Sequence, residues 1–338
     1  MNIPIETSEL SEIVSRFDLE EAVFQKKLTD FADTSWGEDD VRWNFIFEGA
    51  FVLKINSASC ISDVRLFEIS RLISRYNAIG VYCPALIKTR GGDLSVSWTH
   101  GGKDYICYAE EYAKYPVCRD GEALDRAKTV EHLGVLASRY TNIDLVKARS
   151  MWSIIDLSMF DTDVDEKQEN ADMLVSAASE VGYDELSREV ADFNLKMREE
   201  ILGDFESLPR CVFQGDLNSS NLLCEDGNFV GLIDFNLSGT DVNINVFANE
   251  TNWFPAEDEF DASTVPDMIN KMRTAQAELL DVIFRHYVMN ETESRLLPCY
   301  EKIADLFQYP NVRAMTKWLH DADRREKCAE LMRGIMRT

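Results

Sequence analysis

Three oxygen-bearing side chains fall close together in one stretch, residues 211–235, which reads CVFQGDLNSSNLLCEDGNFVGLIDF. Asp216 and Asn221 flank a short polar loop, and two apolar runs joined at Asp226-Gly227 lead on to Asp234. Asp-Gly between apolar runs is a strong local hairpin signal. A hairpin here folds the chain back so that Asn221 and Asp234 lie side by side, with Asp216 one tight loop upstream. Such a trio suits phosphoryl transfer. One carboxylate can orient an acceptor hydroxyl or take its proton, while an amide and a second carboxylate hold magnesium against nucleotide phosphates. The trio offers hard oxygen to a hard cation and neither thiolate nor imidazole.

These groups need a frame. Residues 43–47 and 51–55 are rich in aromatic and β-branched types, and Glu48-Gly49-Ala50 joins them, so the pattern predicts a hairpin. Alternation puts Phe51, Leu53 and Ile55 on one face of its second strand and Val52 and Lys54 on the other. Residues 62–78 follow as a predicted helix with Ser62 as N-cap, apolar positions at Val64, Phe67, Leu72 and Ile73, and Gly80 beyond the end. Glu68 lies on that helix. Three further strands are predicted over 85–89, 94–98 and 105–110, punctuated by Gly91-Gly92-Asp93 and Gly101-Gly102-Lys103-Asp104. Residues 1–30 read as a leading amphipathic helix carrying Leu10, Ile13, Val14, Phe17, Val23 and Phe24. After Pro116 the pattern turns helical, over 123–140, 167–184 and 185–205, and again through 264–338.

In the order and content of these elements the chain resembles the aminoglycoside phosphotransferase and choline kinase-like branch of the protein-kinase-like superfamily. There the catalytic loop reads His-Gly-Asp-x-x-x-x-Asn and the metal segment Ile-Asp-Phe or Ile-Asp-Trp. The resemblance spans about residues 36–250 and is specific only over 211–235. It implies an α+β, bilobal fold: an N-lobe over 1–110 built on a small mixed or antiparallel sheet, a hinge over 111–118, and a mainly helical C-lobe over 119–338. It implies Asp216 as the catalytic aspartate, with Asn221 and Asp234 as the magnesium ligands. Lys54 would then meet the phosphates of ATP (or GTP), paired with Glu68, and the backbone of Glu111 and Ala113 would meet the adenine edge. The acceptor would be a hydroxyl on an aminoglycoside-, choline- or sugar-like small molecule. Two departures are visible. Gln214 stands where the branch has histidine, and Asp241 fits poorly as the supporting aspartate expected some ten residues after the metal aspartate, where Asn243 and Asn245 also sit. They motivate the alternative of a catalytically impaired, nucleotide-binding pseudokinase that acts as scaffold or regulator. A protein kinase is the weaker fit, because the first hairpin (TSWGEDDVRWNF) lacks a G-x-G-x-x-G loop and no Ala-Pro-Glu follows Asp234.

Composition narrows the partners. A formal net charge of −25 would repel nucleic acid and an anionic membrane, so neither is expected. It suits a cationic acceptor, for which Trp253, Phe254, Glu257, Asp258 and Glu259 form a candidate site of acids and aromatic rings. No stretch reaches the ~20 apolar residues of a membrane span. The acidic N-terminus does not read as a signal peptide, so a cytoplasmic location is expected. Eight cysteines without a C-x-x-C pair read as buried, reduced thiols. The histidines at 100, 132, 286 and 320 are scattered and read as structural.

Overall fold

The sheet is built around the predicted hairpin. The computed structural model describes residues 3–19, 28–118 and 125–338. Helix α1 (Thr7–Ser15) leads, followed by strands β1 (Asp30–Asp33), β2 (Arg42–Phe47) and β3 (Phe51–Ser57), helix α2 (Asp63–Ala78), and strands β4 (Leu86–Ile87), β5 (Val96–His100) and β6 (Lys103–Glu111). The strands make one antiparallel sheet in the order β1-β2-β3-β6-β4, with β5 also pairing β6. Phe51, Leu53 and Ile55 do share a face, and it is buried with Phe45, Cys107, Ala109 and the α1 residues Leu10, Ile13 and Val14. The expected 1–30 helix is shorter: it ends at Ser15, Phe17 instead bridges Thr89, and Val23 and Phe24 fall outside the described residues.

Helix α2 starts where its cap predicts, with the Ser62 side chain accepting from the Arg65 N–H at 3.2 Å. Its buried face differs from the expected one. Leu66, Ile69, Leu72, Ile73 and Tyr76 are buried, whereas Val64 and Phe67 are 70% and 63% exposed. The buried stripe passes instead through Arg65, whose long aliphatic stem can line a core that a shorter charged side chain could not.

The hairpin over 218–234 packs as part of this first compact unit, not with the helices. Strands β8 (Leu222–Glu225) and β9 (Asn228–Leu232), counted with a strand β7 described below, pair antiparallel around Asp226 and Gly227. Both turn residues have positive φ, 52° and 75°, as a type I′ hairpin turn requires. Three links tie the hairpin in: bridges Tyr82↔Gly231 and Val117↔Leu223, and a disulfide between Cys118 and Cys224. That disulfide corrects the expectation of uniformly reduced thiols. The short ladder beside it, in which the Cys118 N–H donates to Leu222 O and the Cys224 N–H to Pro116 O, brings the two Cα atoms to 5.4 Å, within bridging range.

The second unit comprises 125–217 and 235–338 and is mainly helical. It contains α3 (Arg126–Tyr140), α4 (Glu166–Glu180), α5 (Asp184–Leu202), strands β7 (Arg210–Phe213) and β10 (Gly239–Val242), then α6 (Asn243–Thr251), α7 (Glu257–Ala262), α8 (Val265–Phe284), α9 (Glu291–Phe307), α10 (Tyr309–His320) and α11 (Arg325–Arg337). Strands β7 and β10 pair antiparallel, so the chain entering the polar loop at Gln214 and the chain leaving it are held together. Asn290 and Glu293 close a reciprocal capping box on α9. The architecture is α+β, a small antiparallel sheet and a larger helical body. Among the described residues, no helix is long and apolar enough to cross a membrane.

Candidate active site

Within the first unit, the hairpin does what its turn chemistry predicts. Asn218 caps a short 3₁₀ turn over Ser219–Asn221 by accepting from the Ser220 N–H at 3.0 Å. The Ile233 N–H donates to the Asn221 carbonyl at 3.0 Å, which fastens the residue before Asp234 directly onto Asn221. Asn221 is buried and Asp234 half-buried. Asp234 adopts φ 54°, a left-handed conformation that aspartate tolerates better than most residues and that turns the chain sharply at this point. An amide and a carboxylate are thereby adjacent and both oxygen-bearing.

Lys54 lies close by. It is 8% exposed, and its Nζ is 3.0 Å from Glu110 Oε1. Burial alone would pull the lysine's pKa down, but Glu110, Tyr108 and Asp234 together outweigh it and hold the pKa above its ordinary value. The same burial, and the Asp234 charge, hold the Glu110 carboxyl above its usual range even with the lysine beside it. The expected Lys54–Glu68 pair is not the one that forms. Glu68 Oε2 pairs instead with the Arg65 guanidinium one turn earlier on α2, at 3.5 Å. At the expected hinge, the Glu111 N–H is already committed to the Ala85 carbonyl at 2.9 Å. Tyr112 and Lys114 also spend their N–H groups, on Ala50 O and on the Tyr82 hydroxyl, while no partner engages the Ala113 backbone among the described residues.

Within the second unit, Gln214, Gly215 and Asp216 follow β7. The Gln214 side chain is fully buried, and its carboxamide oxygen accepts from the Asp216 N–H at 2.7 Å. Gly215 has φ +83°, and a Cβ there would stand 2.5 Å from the Leu237 carbonyl oxygen, so only glycine fits. The Trp152 indole N–H donates to the Gly215 carbonyl. Trp152 is in turn tied to Asn245, whose amide donates to the Trp152 carbonyl at 2.9 Å and to the Asp241 carboxylate at 3.0 Å. Asp241 is buried, also accepts from Ser150 and the Val242 N–H, and is pushed by burial up to about 6. Asp241 therefore supports the loop indirectly, through Asn245 and then Trp152, a chain of contacts between segments that are distant in sequence. Glu250, near the end of α6, is pushed up to about 7 by burial and by the Asp216 charge, against the pull of Arg126 and Lys167.

The acidic and aromatic segment expected to receive a cationic acceptor is occupied by the chain's own cations. Lys271 sits 4.6 Å from the Trp253 ring centroid and 2.5 Å from Glu259. Glu257 is bound by Lys317 and Arg324, and Phe254 stacks on Trp318.

No protein-family model and no curated protein matches this sequence. Solved structures do. A microcompartment-associated aminopropanol kinase superposes with a TM-score of 0.56 at 13% identity, covering 98% of this chain and 95% of that one. The fold is that of the small-molecule kinases. An amicoumacin kinase in complex with AMP-PNP and Ca2+ shares the kinase fold with a TM-score of 0.52 at 12% identity, over 98% of this chain and 96% of its own. So does an aminoglycoside phosphotransferase from Alicyclobacillus acidocaldarius, with 0.50 at 12% identity over 100% and 97%. The kinase fold thus accounts for the chain from end to end, including the C-terminal helices that the motif-based resemblance did not reach. Three residues in these contacts were not singled out from the sequence. Glu110 stands in a strand where acids are rarely buried, Trp152 lies in an irregular segment, and Glu250 reads as an ordinary helical glutamate.

Proposed function

We propose that this protein is a magnesium- and nucleotide-dependent phosphotransferase that moves the γ-phosphate of ATP or GTP to a hydroxyl of a small molecule. The observation that carries the reading is the clasp at the hairpin: the Ile233 N–H on the Asn221 carbonyl sets Asn221 and Asp234 beside each other, with Lys54 buried within reach of the Asp234 charge. Two hard oxygen side chains fit magnesium better than a complete protein cage would, because Mg2+ retains waters and takes phosphate oxygens. Among the described residues no cluster of three or more His, Cys, Asp or Glu competes for the metal.

In this reading Asn221 and Asp234 hold the ion, whose positive charge neutralises the phosphates when it is bound. Lys54 binds the nucleotide phosphates, and Ala113 offers its backbone to the base. Asp216, fixed by Gln214 and the Trp152–Gly215 bond, orients the acceptor hydroxyl and takes up its proton. Glu250, whose carboxyl feels the Asp216 charge, adds a second acid, which favours an acceptor carrying an amine near its hydroxyl; the likeness to an aminopropanol kinase and to aminoglycoside phosphotransferases agrees with that class. Positioning and charge account for nearly all catalysis of this kind. The test is thermal stabilisation by ATP or GTP with and without magnesium, then nucleoside diphosphate release against a panel of amino alcohols, aminoglycosides and sugars. Asp216→Ala should abolish turnover and leave nucleotide binding intact. Turnover near wild type in that variant removes Asp216 from the mechanism, and absence of any nucleotide binding by the wild type removes the proposal.

A further inference from the structure

Resting on that nucleotide-binding reading, we infer that Glu110, and not the helix glutamate Glu68, is the positioning residue for Lys54. Strands β3 and β6 are in continuous antiparallel register, with Lys54 opposite Tyr108 and Val52 opposite Glu110. Residues two apart share a face, so Lys54 and Glu110 are diagonal neighbours on the same side of the sheet. Their side chains are 11% and 17% exposed and meet at 3.0 Å. Glu68 points its carboxylate into the buried Arg65 guanidinium, at 3.5 Å.

The difference has a physical consequence. Where a lysine is oriented by a helix glutamate, helix position decides whether the nucleotide site is assembled, and regulation works through that helix. A partner on the adjacent strand is held by the backbone ladder, which runs unbroken from Phe51↔Glu111 to Ser57↔Tyr105. The lysine anchor of this chain is therefore built into the sheet and is independent of where α2 sits. The charged and titratable groups that face Lys54 are Glu110 and Tyr108 on β6 and Asp234 after β9, while its β2 neighbour, Asn44, is uncharged. Glu110 is the largest of the influences that keep the buried ammonium protonated.

Binding of a fluorescent ATP analogue with magnesium, measured from pH 7 to 9.5 on the whole protein, separates the two glutamates. Wild type and Glu68→Gln should hold their affinity within about three-fold across that range, whereas Glu110→Gln should lose about ten-fold toward pH 9.5, because a buried lysine without its partner gives up its proton more easily. Glu110→Asp keeps the charge on a shorter arm and should fall between them, and it carries the comparison if the glutamine variant does not fold. Circular dichroism at each pH confirms that the fold persists. An alkaline loss in Glu68→Gln, with both Glu110 variants following wild type, overturns the inference and leaves the proposed function standing. No binding by wild type at any pH overturns the proposed function itself.

Discussion

Gln214→Leu is the sharpest probe of the loop that carries Asp216. Leucine fills nearly the same fully buried space but has no acceptor for the Asp216 N–H, which now bonds the carboxamide oxygen at 2.7 Å. Leaving a part-buried donor without its partner costs at most about 1–3 kcal/mol. The loop can relieve that cost only by moving, and its freedom is small: Gly215 is already in a left-handed conformation with the Leu237 carbonyl where a side chain would begin. Asp216 itself is then the group that shifts, and a displacement of about 1 Å at a reacting group can cost on the order of 100-fold in turnover. The expected result is a fall in kcat of roughly 10- to 100-fold, with KM for the nucleotide within about three-fold, since binding is assigned to Lys54, Asn221 and Asp234. The assay is steady-state nucleoside diphosphate release with the acceptor that the panel identifies, beside a thermal melt of each protein. A leucine variant with wild-type kcat would refute the argument that Gln214 shapes the loop that carries Asp216. It would also show that the loop is held by its other contacts alone.

Two further expectations concern stability. Burial and the Asp216 charge push the Glu250 carboxyl up from 4.5 to about 7, so the folded state binds a proton that the unfolded state has released, and stability falls as pH rises through that interval. Glu250→Gln should therefore stabilise the protein by roughly 1–3 kcal/mol at pH 8 and by less than about 1 kcal/mol at pH 5, by urea unfolding. The buried His132 imidazole, pushed down to about 4, acts with the opposite sign but is common to both proteins and cancels. An advantage that does not change with pH would refute the titration argument. The Cys118–Cys224 bridge spans a sequence separation of 106, and closing so long a loop is worth roughly 2–4 kcal/mol. Reductant should lower the melting temperature of wild type and leave that of a Cys118→Ser, Cys224→Ser double variant unchanged; equal melts of wild type with and without reductant would count against the bridge.

What the sequence revealed and what it hid divide along a physical line. Signals that act over a few residues were legible. The Asp226-Gly227 turn placed Asn221 next to Asp234, Ser62 placed the start of α2, and alternation placed Lys54 on a strand with its apolar neighbours facing the core. Signals that depend on which distant strand lies alongside were not. Lys54 chooses between two acids, and the choice is made by the β3/β6 register, which periodicity does not report. Val64 and Phe67 look like core on a helical wheel and are exposed, because what packs on α2 decides which stripe is buried. Glu257 and Glu259 look available to a ligand until Lys271, Lys317 and Arg324 arrive from later helices. The bridge from Cys118 to Cys224 depends on a ladder between segments far apart in sequence.

The asparagines after Asp234, which in sequence looked like a weakness, give α6 an unusual kind of fixity. Every residue of the helix is buried except Glu250, which is half-buried. Asn243 donates to the Thr141 and Tyr287 hydroxyls, Asn245 to Trp152 and Asp241, and Asn252 just beyond the end to Asp305. Gln308 donates to the Asn249 carbonyl. A slide of one residue would turn the helix by about 100° and advance it about 1.5 Å, and these bonds would break together. Asparagine is also a modest helix former, so a short segment this rich in it has little reason to be helical before its neighbours are in place. Such a helix behaves as a keyed shaft: it seats in one register or not at all. The helical unit should accordingly unfold in a single cooperative step, with α6 lost together with the elements around it and not peeled away ahead of them.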